Sequence, residues 1–315
     1  MRSIVPRMIL VFGEALVDII GQPGQPAVEV AGGGPLTTAV AASRLGAAVT
    51  LLCSVSTDVR GQLLREAIAE SGVNLVPDRR SSLPTATARA EVDALGHATY
   101  TFDLFETALT DIDAADVTAA LALRPAAVHV GTLALALPEL ARAARGLLKA
   151  VPADSLVMVD PNCRPAFLDD SADFLPTWHL ALERADVVKV SDDDLHYLHG
   201  DNLSEGIAAL QEISDAIILL TRGADGVDVI DGDLRWHVTA PRVLVADTVG
   251  AGDTFSGVFL ARCIESGWRR GGEPDMLLDA VAQAAAAAAL ACTRVGAVPP
   301  TRIELSEFIA ASSQQ

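Results

Sequence analysis

Asp253 stands in the stretch DTVGAGDTFSG, residues 247–257, directly behind two glycines, Gly250 and Gly252. An apolar run, Val243, Leu244 and Val245, leads in as a strand, and residues 255–264 read as a helix leading out. Backbone N–H groups at a helix start lack intrahelical acceptors, and together with the helix dipole they attract anions. Glycine lets that backbone approach a ligand without a Cβ in the way. Such a turn suits a phosphoryl group in transfer, or the negative charge growing on it. A carboxylate beside it repels phosphate unless it has a task of its own. One task is general base catalysis, taking the proton of a hydroxyl that attacks phosphorus. The other is capping, since Asp also favours helix starts. The stretch by itself leaves both open.

Other nucleotide and nucleophile motifs fit poorly. A dinucleotide fingerprint needs its third glycine two positions before Gly257, and it usually follows the first strand, whereas this turn lies near the end of the chain. There is no G-x-x-x-x-G-K-[ST] and no G-x-S-x-G.

The elements that must position these residues alternate along the chain. Residues 9–12, 50–55, 127–130, 156–160, 187–190 and 217–221 are short apolar runs, consistent with strands buried on both faces. Helix-period segments, among them 35–45 and 59–70, separate them. The pattern predicts an α/β fold with a mostly parallel sheet and right-handed crossovers. Residues 85–93 and 99–104 depart from it with period-two character around Ala94-Leu95-Gly96, a hairpin signal, and residues 27–30 add a candidate strand. A second hairpin is expected around Asp231-Gly232-Asp233.

The 315 residues carry 23 basic and 41 acidic side chains, a net charge of −18, and no Lys/Arg cluster, which speaks against a nucleic-acid partner. Cys53, Cys163, Cys263 and Cys292 lie far apart with no zinc spacing, so they read as buried free thiols in a reducing cytoplasm. The Ala-rich run 284–291 is too short to span a bilayer and reads as the middle of a packed helix, so no membrane partner is expected.

The sequence resembles the PfkB, or ribokinase-like, carbohydrate kinases. DTVGAGDTF matches that family's C-terminal signature, and GGGPLTTAVAASRLG, residues 32–46, looks like its N-terminal one. Smaller matches fall in order around them: GEALVD (13–18), DPNCRP (160–165), KVSDDD (189–194), TRGADG (221–226) and TRVGAVP (293–299). The resemblance implies a single three-layer α/β/α domain over residues 1–315, with a small antiparallel β lid formed from about 22–31 and 85–106. It implies transfer of the γ-phosphoryl of ATP to a sugar hydroxyl with Mg²⁺, Asp253 as base and the amides of Gly250, Ala251 and Gly252 as the anion hole. It resolves the choice at Asp253 in favour of catalysis.

On the sugar side the resemblance implies Asp18, at the end of the first strand, with Gly32, Gly33, Thr37, Arg164 and one of two lid aromatics, Phe102 or Phe105. Asp160 and Asn162 share the strand end with Arg164. On the nucleotide side it implies Ser191, Thr221, Gly223 and Gly226, with Asp194 in a Mg²⁺-associated position through water. Asp247, Thr248, Arg294 and Gly296 fall in segments that in many relatives enclose a monovalent cation, usually K⁺. Lids of the family often pair edge to edge, so a homodimer through the lid is an expectation by analogy.

Three departures bear on the substrate. Thr37 replaces the usual asparagine, losing the separate donor and acceptor of an amide. Ser191 and Asp194 stand where relatives often have Asn and Glu. YTFDLFETA, residues 100–108, resembles fructokinase-like members most, and 2-keto-3-deoxygluconate kinases share some motifs. A nucleoside kinase, a catalytically silent sensor and a nicotinamide oxidoreductase are the competing readings. Intact Asp253 with both glycines disfavours the sensor, and motif spacing disfavours the oxidoreductase.

Overall fold

Short runs of Val, Ile and Leu with apolar residues on both faces can only be satisfied by helices above and below them, and the chain folds accordingly. The computed structural model describes residues 7–21, 26–92, 98–169 and 171–312. Its strands are β1 Ile9–Phe12, β2 Leu16–Gly21, β3 Val28–Gly32, β4 Val49–Leu52, β5 Val55–Ser56, β6 Asn74–Val76, β7 Arg80–Ser81 and β8 Thr87–Val92. They continue with β9 Ala98–Asp103, β10 Ala127–Gly131, β11 Leu156–Asp160, β12 Val187–Ser191, β13 Ile217–Thr221, β14 Val227–Asp231 and β15 Leu234–Val238.

The main sheet runs β15-β14-β13-β12-β11-β10-β1-β4-β6. It is parallel from β6 to β13, and the late hairpin β14–β15 closes one edge in antiparallel fashion. Helices Gly34–Arg44, Ala251–Ser266 and Pro274–Ala291 pack together on one side, and Ala114–Ala122, Pro138–Ala150 and Phe174–Arg184 pack together on the other. This is the expected three-layer α/β/α architecture. Chain order reverses across β1, between β4 and β10, and open α/β sheets place their ligand crevice at the carboxyl ends of the strands at such a point.

A second sheet, β3-β2-β8-β9, forms the lid. Two of its pairs are antiparallel and β2–β8 is parallel, so the lid is mixed. It includes β2, which places Asp18 on a lid strand opposite Val30 and not at the end of the first main-sheet strand. The expected turn at Ala94-Leu95-Gly96 lies outside the described residues. The run 50–55 is broken in two, with Cys53 and Ser54 between β4 and β5.

The largest difference from the sequence reading is at Val243, Leu244 and Val245. No strand forms there, and Leu244 is 93% exposed. The glycine turn is instead reached by an irregular segment, anchored where the Ala246 and Asp247 N–H groups donate to the Cys292 carbonyl at 2.8 and 3.2 Å. Strand-like composition alone does not make a strand; the segment pairs with no sheet edge.

Helix Ala251–Ser266 packs against Gly34–Arg44 through Gly257. A Cβ on Gly257 would come within 2.3 Å of the Thr38 carbonyl oxygen, so the two backbones meet there with no room for a side chain. This contact brings both glycine-rich segments to one place. Among the described residues, Pro274–Ala291 is the one helix long and apolar enough to cross a membrane by length and composition, and half of it is buried inside the fold.

Candidate active site

A cleft of about 1160 Å³ opens at the carboxyl ends of the central strands, between the sheet and the lid. At its centre Gly250 takes a left-handed conformation, φ 74°, and caps helix Ala251–Ser266. A Cβ there would sit 2.6 Å from the Ala297 Cβ, so glycine is required on two counts. The Ala251 N–H donates to the Thr248 carbonyl at 3.2 Å. Gly250 and Gly252 are left as the amides of this turn with no backbone acceptor among the described residues, so the expected trio of free N–H groups reduces to two.

Asp253 follows, half-buried, with its side chain on the cleft. It is no N-cap: Gly250 holds that position, and no side chain caps this helix. The Thr38 hydroxyl donates to the Asp253 carbonyl oxygen at 3.2 Å and ties the turn to helix Gly34–Arg44. Burial pushes the Asp253 carboxyl up to about 6, with Asp160 adding to the rise and Lys189 and Arg164 opposing it. A Cβ on Gly34 would lie 2.8 Å from Asp253 Oδ1 and 3.2 Å from the Thr132 hydroxyl. The third glycine of GGGP therefore clears the space in front of the carboxylate.

Asp18, Gly32, Gly33, Thr37, Phe102 and Arg164 all line the cleft. Asp18 lies against Gly32, where a Cβ would collide with its carboxylate, and burial raises its carboxyl to about 6. Thr37 is 7% exposed and turns its methyl toward the glycine turn, 3.3 Å from where a Cβ on Gly250 would stand. The Phe102 ring meets Phe167 edge to face at 4.7 Å between centroids. Phe105 is 64% exposed and does not line the cleft. Arg164 Nη1 donates to the Cys163 carbonyl at 2.9 Å.

Ser191, Thr221, Gly223 and Gly226 line the other end of the cleft, beside an apolar wall that includes Val243, Val249, Ala285 and Ala289. Asp194 does not face the cleft. It is 5% exposed and forms a capping box with Ser191. Its Oδ1 accepts from the Cys163 N–H at 2.6 Å, and its Oδ2 accepts from the Ser191 N–H and hydroxyl at 2.8 and 2.7 Å. The capping box S-x-x-D claims the side chain expected at the metal. Asp192 and Asp193 line the cleft in its place.

The two segments expected to enclose a monovalent cation do meet. Asp247 Oδ2 accepts from the Gly296 N–H at 2.8 Å, and Oδ1 accepts from the Val249 N–H at 3.0 Å, bonds that hold the Asp247 carboxyl below its usual range. Thr248 lines the cleft. The Arg294 side chain turns away, pairing with Glu304 at 2.6 Å on the C-terminal helix.

Three residues carry no role from the motifs: Lys189, Thr132 and Glu14. Lys189 and Asp160 form a buried ion pair at 2.6 Å, 4% and 2% exposed. Burial alone would push the ammonium down, but the Asp160 and Asp194 carboxylates outweigh it and keep Lys189 charged. Its Nζ lies 3.3 Å from where a Cβ on Gly252 would stand, so a positive charge sits directly behind the turn. Thr132, just past β10, holds φ 55°, an unfavourable conformation for a β-branched residue, and places its hydroxyl 3.4 Å from the Asn162 amide. Glu14 lines the cleft, 2% exposed. Glu14 lies in GEALVD and Lys189 in KVSDDD, and each interrupts an apolar run, but the motifs assign neither a role.

A half-buried carboxylate beside helix-start amides, at the carboxyl ends of a doubly covered parallel sheet, suits proton transfer next to a bound anion. Residues 6–303 match the family described as pfkB family carbohydrate kinase. The chain is 33% identical to a fructokinase of Rhizobium leguminosarum bv. trifolii over 263 residues, covering 81% of this chain and 79% of that one. Its fold superimposes on a fructokinase from Xylella fastidiosa with bound ATP at a TM-score of 0.88, with 27% identity and 98% and 99% of the two chains covered. A fructokinase from Vibrio cholerae O395 in a fructose-, ADP- and calcium-bound form gives 0.81 and 28%, covering 96% and 99%. The chain belongs to the pfkB family of carbohydrate kinases.

Proposed function

We propose that the chain is a fructokinase, transferring the γ-phosphoryl of ATP to a hydroxyl of fructose with Asp253 as general base. The observation that carries this is the Asp253 carboxyl on an open cleft beside the Gly250 and Gly252 amides. Fructose is chosen because the three relatives above are all described as fructokinases. The sugar lies under the lid, between Asp18, the Gly32-Gly33 backbone, Thr37 and Phe102. The nucleotide lies along Ser191, Thr221, Gly223 and Gly226. Arg164 faces the charge between them.

In the reaction Asp253 accepts the proton of the attacking hydroxyl, and that oxygen bonds phosphorus as the bond to ADP breaks. The Gly250 and Gly252 N–H groups donate to the oxygens on which charge collects. The Lys189 ammonium behind them adds to the field. Mg²⁺ suits the cleft as a hydrated companion of the phosphates: Asp192 and Asp193 supply carboxylates there, and among the described residues no cluster of three ligands would strip the ion of its waters. Its chemistry is neutralisation of phosphate charge. A K⁺ site at the Asp247–Gly296 junction, a homodimer through the exposed lid residues Val28 and Val30, and a cytoplasmic setting consistent with four free cysteines complete the proposal.

The test is ADP release from ATP, Mg²⁺ and K⁺ with a panel of ketoses, aldoses, sugar acids and nucleosides. Fructose is expected to lead in kcat/KM by at least about tenfold, roughly 1.4 kcal/mol of transition-state binding. Preference for a sugar acid or nucleoside would reassign the substrate, and silence on the whole panel would remove the kinase reading.

A pH profile follows from Asp253. The base works only when ionised, so kcat is expected to fall about tenfold per unit as the pH drops below about 6. A flat profile from pH 7 down to 5 would exclude Asp253 as the base.

A further inference from the structure

Glu14, two residues past β1, is a buried carboxyl close to two backbone N–H groups, its own and that of Gly34. It is 2% exposed, it lines the cleft, and its Oε2 finds no hydrogen-bond partner in the described structure. Its backbone carbonyl would lie 2.7 Å from a Cβ on Gly33, and a Cβ on Gly34 would lie 2.8 Å from Asp253 Oδ1. Glu14 and Asp253 thus both border the Gly33-Gly34 segment, Glu14 through its backbone carbonyl and Asp253 through Oδ1. The titratable and charged groups that face Glu14 are Asp253 from helix Ala251–Ser266, Arg164 beyond β11 and the Cys53 thiol beyond β4.

We propose that Glu14 is a positioning residue for phosphoryl transfer, a protonated carboxylic acid that leaves the Glu14–Asp253 pair with a single negative charge. This rests on the kinase reading. Two close carboxylates do not both ionise cheaply in a buried site, and the more buried one keeps the proton. Glu14 is the more buried, and burial, with a smaller push from Asp253, raises it to about 8 against the pull of its own backbone N–H, Arg164 and the Gly34 N–H. Asp253 is thereby the one left ionised near neutral pH. Ionisation of Glu14 would add a second negative charge where the triply charged phosphate end of ATP must arrive, so transfer should fail on the alkaline side. The Cys53 thiol, pushed up to about 12, does not titrate in that range.

Glu14→Gln keeps the shape and fixes the neutral state. The comparison with the parent protein has two readouts. The first is resistance to urea against pH, which needs no substrate. A carboxyl that holds its proton more tightly folded than unfolded loses stability as pH rises between the two values. The parent should therefore lose urea resistance relative to Glu14→Gln between about pH 4.5 and 8. Parallel curves overturn the proposal whatever the activity. The second is kcat with fructose. The parent should fall about tenfold per unit above pH 8, while Glu14→Gln shows no such alkaline fall. The same alkaline limb in both proteins, or a loss of a hundredfold or more at pH 7, overturns it. If the parent phosphorylates nothing, the kinase reading fails and the positioning role fails with it, while the urea curves still report the proton. Should Glu14→Gln not fold, Glu14→Met serves the same comparison.

Discussion

Asp253→Asn is expected to lower kcat by about three orders of magnitude or more while leaving ATP affinity nearly unchanged. The amide keeps the shape of the carboxyl and its place on the cleft, and it cannot take a proton. The attacking hydroxyl must then lose its proton to water, and the negative charge that Lys189 and Arg164 counterbalance is gone. The backbone proposed to receive phosphate should stay intact, because Gly250 and Gly252 would act through N–H groups and Asp253 caps nothing. Steady-state ADP release measures the first effect, and calorimetric titration with a non-hydrolysable ATP analogue measures the second. Turnover within about tenfold of the parent would take the proton abstraction away from residue 253. Loss of nucleotide affinity in parallel with kcat would make the side chain part of the binding site instead.

Lys189→Met should produce the largest loss of stability of any substitution considered, about 3–5 kcal/mol. Asp160 is 2% exposed, and its Oδ2 lies 2.6 Å from Lys189 Nζ. Removing the ammonium leaves a carboxylate in the core with the Asn162 N–H at 3.1 Å and the Ser256 hydroxyl at 3.5 Å as its remaining donors. Chemical denaturation checks the magnitude. The double change Lys189→Met with Asp160→Asn removes both charges and should recover a substantial part of the loss. Its kcat should nevertheless stay below that of the parent, because the positive charge behind Gly252 is missing. A single variant as stable as the parent would show that the pair contributes nothing net. A double variant with full kcat would confine Lys189 to the fold.

The alternation of apolar runs with helix-period segments was sufficient to read a parallel α/β sheet, because strands buried on both faces leave an unbroken local signature. The glycine turn was equally legible. Gly250, at φ 74°, is a backbone requirement, and such a requirement is written into a few adjacent residues. Asp253 belonged to that same local signal. Phe102 and Phe105 could not be separated in the sequence, since both sit in one aromatic stretch and only the lid's orientation turns one ring toward the cleft.

What the sequence by itself determined, then, is what neighbouring residues settle among themselves: the element types, the helix-start turn and the acid set in it. Tertiary structure alone decided the rest. It left Val243, Leu244 and Val245 without a strand, since pairing needs a free edge supplied by distant residues. It turned Asp194 inward to the Cys163 N–H and Ser191, where a motif alone would aim it at a metal. It placed Asp18 on the lid, set Lys189 behind Gly252 and brought Glu14 and Asp253 to the same glycine segment. For the buried acids and Lys189 the physical reason is a shared one. The charge a buried group carries depends on which other groups share its low-dielectric surroundings, and these neighbours come from parts of the chain tens to hundreds of residues away.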